Sequence, residues 1–102
     1  MRVRYAHAGI KEIIDGLDTR SAARINRVVD LLEFFGHNLR LPHSRALGNN
    51  LFELRIKGLL QIRILYCFLR GEAVILHIFY KKTATIPRKE IEYAEQIKRQ
   101  LK

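Results

Sequence analysis

Leu51-Phe52-Glu53-Leu54-Arg55-Ile56-Lys57 alternates, residue by residue, between two kinds of side chain. Phe52, Leu54 and Ile56 form one set, and Glu53, Arg55 and Lys57 form the other. A period of two is the signature of a β-strand with one face toward a core. Gly58 marks a turn. In the next run Ile62, Ile64, Tyr66 and Phe68 share one face, with Gln61, Arg63, Leu65 and Cys67 opposite. Gly71, between Arg70 and Glu72, marks a second turn. Ala73 to Lys81 is a third, almost wholly apolar run, with His77 and Lys81 at alternate positions of one face. Three consecutive strands with such short connections predict an antiparallel meander.

Outward from the meander the period becomes helical. Ile10, Ile13, Ile14 and Leu17 recur at i, i+3, i+4 and i+7, and Ile25, Val28, Val29 and Leu32 repeat that spacing. Gly16 and Asp18 separate the two helices, and Asp18 or Thr19 can cap the second. Gly36 and Asn38 close it, and Pro42 cannot continue it. The two helices therefore form a hairpin with one shared apolar face. Before them, Arg2 to Ala6 alternates as a short strand. After the meander, a helix begins near Pro87, with a packing stripe of Ile91, Ala94, Ile97 and Leu101 and a Glu95–Arg99 pair. The order β-α-α-β-β-β-α predicts one α+β domain over residues 1–102, its helical hairpin and C-terminal helix packed on a small antiparallel sheet.

Composition narrows the function. Nineteen Lys and Arg against ten Asp and Glu leave a net charge of +9 on 102 residues. Such an excess favours polyanions, nucleic acid first, because displaced counterions supply sequence-independent affinity. No apolar run nears the roughly 20 residues that cross a bilayer, and no signal-peptide core follows Arg2 and Arg4. A cytoplasmic, membrane-free setting is expected. The lone Cys67 excludes an internal disulfide and reads as a small buried hydrophobe. His7, His37, His43 and His77 are scattered without ligand spacing, so neither a metal nor another cofactor is expected.

If one sheet face packs on the helices, the opposite face carries Glu53, Arg55, Lys57, Gln61, Arg63, His77 and Lys81, with Lys82, Arg88 and Lys89 just beyond. Cations from adjacent strands would then converge on an open surface able to hold single-stranded RNA and to stabilise charge at a phosphate. A solvated polar face is the competing reading. An RNA cut by the ribose 2′-OH needs a proton acceptor, a donor for the leaving oxygen and positive charge at phosphorus. A lysine serves as acceptor only where burial or cationic neighbours lower its pKa. His77 is the conventional acid–base candidate, and Phe79 or Tyr80 could stack on a base; for all three, packing is the alternative.

Leu-Gly-Asn-Asn-Leu-Phe-Glu-Leu-Arg (47–55), Arg-Ile-Leu-Tyr (63–66), His-Ile-Phe-Tyr-Lys-Lys-Thr (77–83) and Ile-Pro-Arg-Lys-Glu-Ile-Glu-Tyr-Ala (86–94), in this order, resemble the phage-derived, HigB-like branch of the RelE/ParE toxin superfamily. The resemblance covers nearly the whole chain. It implies a RelE-like fold and the toxin of a type II toxin–antitoxin system, a metal-independent mRNA endonuclease acting in the ribosomal A site. A cognate antitoxin, often of helix-turn-helix type, would neutralise it. By motif, Arg63 would contact the scissile phosphate, and Lys81 or Lys82 would supply charge and proton transfer, with His77 a further catalytic candidate. Arg55, Lys57, Tyr80 and Arg88 would bind RNA. The histidine-rich C-terminal end of some HigB toxins is missing here. A ParE-like gyrase poison, or an inactive RNA-binding relative of the same fold, is the alternative.

Overall fold

The computed structural model describes residues 1–59 and 61–102. Strand β1 (Arg2–Tyr5) leads into helices α1 (Ala8–Asp15) and α2 (Thr19–Phe35), then a 3-10 turn (Gly36–Asn38). Strands β2 (Ser44–Gly48), β3 (Leu51–Arg55), β4 (Ile62–Leu69) and β5 (Glu72–Tyr80) follow, and helix α3 (Arg88–Arg99) ends the fold. The Asp18 carboxylate accepts the Ser21 N–H at 3.1 Å and caps α2. Gly36 ends that helix at φ 53°, a left-handed conformation that favours glycine.

The expected meander is present as β3-β4-β5, but the sheet is larger than expected and not purely antiparallel. Its order is β1-β5-β4-β3-β2. Strand β1 runs parallel to β5, from Arg2 opposite Glu72 to Tyr5 opposite Ile75. A long connection separates the two in sequence, and a crossover of that length lets strands align in parallel. Glu72 receives Arg4 at 3.2 Å and Arg2 at 3.4 Å across this junction. Strand β2 is not predicted by periodicity, because Ser44–Gly48 carries no alternation. Its signal lay in the turn: Asn49 and Asn50 both have positive φ, 55° and 54°, as a two-residue type I′ hairpin demands. Arg70 and Gly71 repeat the device between β4 and β5.

Both faces of the sheet are covered. The α1–α2 hairpin packs Ile10, Ile14, Ile25 and Leu32 against Leu54, Ile64, Tyr66 and Ile75. On the other face Ala94, Ile91 and Ile97 of α3 pack on Leu65, Cys67, Val74 and Leu76. The polar face is therefore not the open surface that alternation implied. The apolar stripe of α3 needs a partner, and the apolar half of that face supplies one. Glu95 pairs with Lys98 at 2.7 Å and accepts from Asn49 at 2.5 Å, not with Arg99 as expected, and so ties α3 to the β2–β3 turn. Burial pushes the Cys67 thiol up, as befits a packing residue. Among the described residues, no helix is long and apolar enough to cross a membrane.

A bulge in β5 decides which residues share the α3 face. Leu65 lies opposite His77 and Tyr66 opposite Ile75, leaving Leu76 as an extra residue. One inserted residue changes the phase of all that follow. Ala73 and Ile75 thus enter the hairpin core, whereas Phe79 stands opposite Arg63 on the α3 face.

Tyr66 is buried in the hairpin core, stacked on Phe52 at 5.4 Å, with its hydroxyl 2.5 Å from Ser44 Oγ. Tyr66→Phe leaves Ser44 a buried hydroxyl without that partner. It is expected to lower unfolding free energy by about 1–2 kcal/mol, measured as a lower urea midpoint at unchanged slope.

Candidate nucleic-acid interface

On the α3 face, next to the part that helix covers, the register sets Arg45 beside Glu53 and Arg55 beside Arg63. Glu53 is the centre of the group. Only 1% of it is exposed, and its carboxylate lies 3.0 Å from Arg63 Nε, 3.3 Å from Arg45 Nη2 and 4.0 Å from Lys81 Nζ. Arg63 is itself buried and donates from Nη1 to the Ile62 carbonyl at 3.1 Å. The Arg55 N–H donates to the His43 carbonyl at 2.8 Å, which fixes the end of β3. The Lys81 N–H donates to the Gln61 carbonyl and carries the β4–β5 pairing to the edge of the site.

Three cations surround one carboxylate, and Arg55 adds a fourth positive charge nearby. One buried anion cannot neutralise that set, so the site keeps a net positive field in a region of low dielectric. Burial pushes the Lys81 ammonium below the ordinary lysine range. Glu53 opposes this, while Arg63, Arg45 and Arg55 reinforce it. A lysine with a depressed pKa is what proton abstraction near neutrality requires.

The other expected site residues scatter around this centre. Lys82 is exposed beside Lys81. Lys57 is exposed, its carbonyl accepting from Arg24 at 3.1 Å. Arg88 is exposed at the start of α3 and pairs with Glu92 at 3.0 Å. Tyr80 is opposite Ile62, so it belongs to the hairpin face and not to the cationic one, and it is 58% exposed. Phe79, by contrast, is buried against Arg63's strand. His77 shares the cationic face but is held apart from the cluster. Its Nε2 lies 2.9 Å from Glu90 Oε1, and its ring stacks on Phe79 at 5.2 Å and tilts against Tyr93 at 4.6 Å.

Two members of the cluster were not singled out from the sequence. Arg45 lies on the unread strand β2. Alternation places Glu53 on the polar face but does not mark it as the organiser. The available clue was its isolation, since it is the lone acid among Arg55, Lys57, Arg63 and Lys81 on that face.

The sequence matches the family described as Phage derived protein Gp49-like (DUF891) over residues 12–99, most of the chain. No curated protein matches it.

Glu53→Gln removes the charge that compensates buried Arg63 while keeping the side-chain shape. Breaking a buried ion pair from one side is expected to cost about 3–5 kcal/mol, read as the unfolding free energy in urea. A loss below about 1 kcal/mol would mean that water already screens the cluster.

Proposed function

The chain belongs to the phage-derived Gp49-like family, a toxin-like family, and on that premise we propose that it is the toxin of a type II toxin–antitoxin system, an mRNA endonuclease that works in the cytoplasm on the ribosome. One observation carries the reading: Lys81, Arg63 and Arg45 gather around the buried carboxylate of Glu53, with Arg55 opposite Arg63, leaving uncompensated positive charge beside a lysine of lowered pKa. This is the equipment for a phosphodiester that must acquire extra negative charge as it reacts.

In the proposed reaction the RNA backbone lies across the exposed end of the α3 face. Lys81 in its neutral form takes the proton from the ribose 2′-OH. The 2′-oxygen bonds to phosphorus as the phosphorus–5′-oxygen bond breaks, giving a 2′,3′-cyclic phosphate and a 5′-hydroxyl end. The leaving oxygen takes a proton from Lys82 or from solvent. Arg63 and Arg55 stabilise the charge that builds on the non-bridging oxygens. Glu53 does not serve as the base: its carboxylate is buried and already engaged by Arg63 and Arg45. It positions Arg63 and Lys81. Lys57, Lys82 and Arg88 steer the strand through their charge. The protein would meet a cognate antitoxin, expected to be of helix-turn-helix type, and would need no cofactor for these steps.

The test is induction from a tightly repressed promoter, with new mRNA 5′ ends mapped genome-wide. The native protein should arrest growth and cut within translated frames. Lys81→Arg keeps the charge but removes the acceptor, and should lower the cleavage rate by about 10²-fold or more. Arrest with intact mRNA would overturn the nuclease reading and favour a gyrase-type poison.

The pH profile of cleavage on purified ribosomes has a determined sign. A base must lose its proton to act, so the rate should climb with pH until Lys81 is neutral, below the ordinary lysine value. Lys81→Arg should abolish that rise.

A further inference from the structure

Strand β1 covers only the first half of β5. Its pairing stops at Tyr5 opposite Ile75, and the Ala6 N–H donates to the Ile75 carbonyl at 2.8 Å before the chain turns away into α1. From Leu76 to Tyr80, β5 has β4 on one side and, among the described residues, no strand on the other. The Lys81 N–H points to β4. By the alternation of a strand, Phe79 and His77 turn their backbone the same way, and Ile78 and Tyr80 turn theirs outward. The open stretch is five residues, about 17 Å of unpaired edge.

An edge of this kind is a template for another strand unless it is blocked. Here it is flanked by apolar surface and not sealed. Ile78 borders a cleft of about 350 Å³ shared with Ile13 and Tyr93, and Tyr80 borders one of about 420 Å³ shared with Leu17 and Leu59. Ile13 and Tyr80, one on each cleft, are 50% and 58% exposed. We propose that the Leu76–Tyr80 edge is a docking site for one extended, acidic segment of a partner polypeptide, which adds to the sheet as a sixth strand.

Backbone and charge both select that occupant. Outward N–H and C=O groups at peptide spacing are matched by another peptide backbone and not by RNA. The acids near the edge are already engaged: Glu90 with His77, Asp15 with Lys11, and Asp18 with the Ser21 N–H. Lys89, on the wall of the first cleft, and Lys82, just past the end of β5, have no acidic partner among the described residues, and the chain as a whole carries +9. A strand whose apolar residues enter the clefts and whose alternate residues are Glu or Asp meets both demands. Under the toxin reading this is the segment a neutralising partner would bring, laying carboxylates beside Lys81 and Lys82. Docking itself does not require RNA cutting, so the two proposals fail separately.

The experiment uses the native protein, labelled with ¹⁵N, and a blocked heptapeptide alternating Val and Glu. Amide hydrogen exchange at Ile78 and Tyr80 should slow about tenfold or more as peptide saturates. The effect should vanish when alternate peptide nitrogens on the pairing edge are methylated, and a Val/Lys peptide should bind about tenfold more weakly. Unchanged exchange at millimolar peptide, or slowing indifferent to methylation, would overturn the proposal. So would slowing that grows with protein concentration alone, which assigns the edge to a second copy, or equal slowing by single-stranded RNA.

Discussion

A single extra residue in β5 holds the architecture together. Leu76 sits in the register without a partner, and the strand on either side of it faces different layers. Before the bulge, Ala73 and Ile75 fill the core beneath the α1–α2 hairpin; after it, Phe79 faces the layer that α3 only partly covers. Without the bulge, the alternation that buries Ile75 would also turn Lys81 toward the helical hairpin, away from Glu53 and Arg63. Core and cationic cluster are thus compatible only because the strand changes phase between them.

The second constraint is electrostatic. Removing Glu53 and Arg63 from water costs several kcal/mol per ion, which their mutual attraction offsets only with close geometry and further partners. Arg45 and Lys81 are those partners for Glu53. The result is a fixed constellation of cations held on one buried carboxylate. A fully solvated patch of the same charge would attract RNA but would neither orient it nor depress the pKa of a lysine. His77 shows the contrast within one face. Tied to Glu90 and packed between Phe79 and Tyr93, it anchors the start of α3.

Much of this was legible from residues alone. Alternation in 51–57 and 61–68 places β3 and β4, and helical spacing places α1, α2 and α3, because each element buries one periodic face. Arg55, Arg63 and Lys81 follow from that alternation. The apolar run 73–81 was different: its polar markers, His77 and Lys81, both lie after Leu76, and Ala73 to Leu76 has none, so the bulge is silent. Strand β2 was hidden for a related reason, since its short edge needs no apolar alternation and its one signal was Asn49-Asn50. The parallel placement of β1 depends on a crossover that no local pattern records. The cover of α3 over half the polar face came from tertiary packing, and with it the burial of Glu53.

Burial, reinforced by Arg63, Arg45 and Arg55 and opposed by Glu53, lowers the proton affinity of Lys81, and the proposed proton transfer depends on it. The most direct measurement is the titration of Lys81 Nζ by NMR, alone and with a 2′-O-methyl RNA strand that keeps the phosphates but lacks the nucleophile. The expected result is a pKa below the ordinary lysine value in the free protein, raised when the added negative charge settles beside it. An ordinary value in the free protein, or one unmoved by bound RNA, would contradict it.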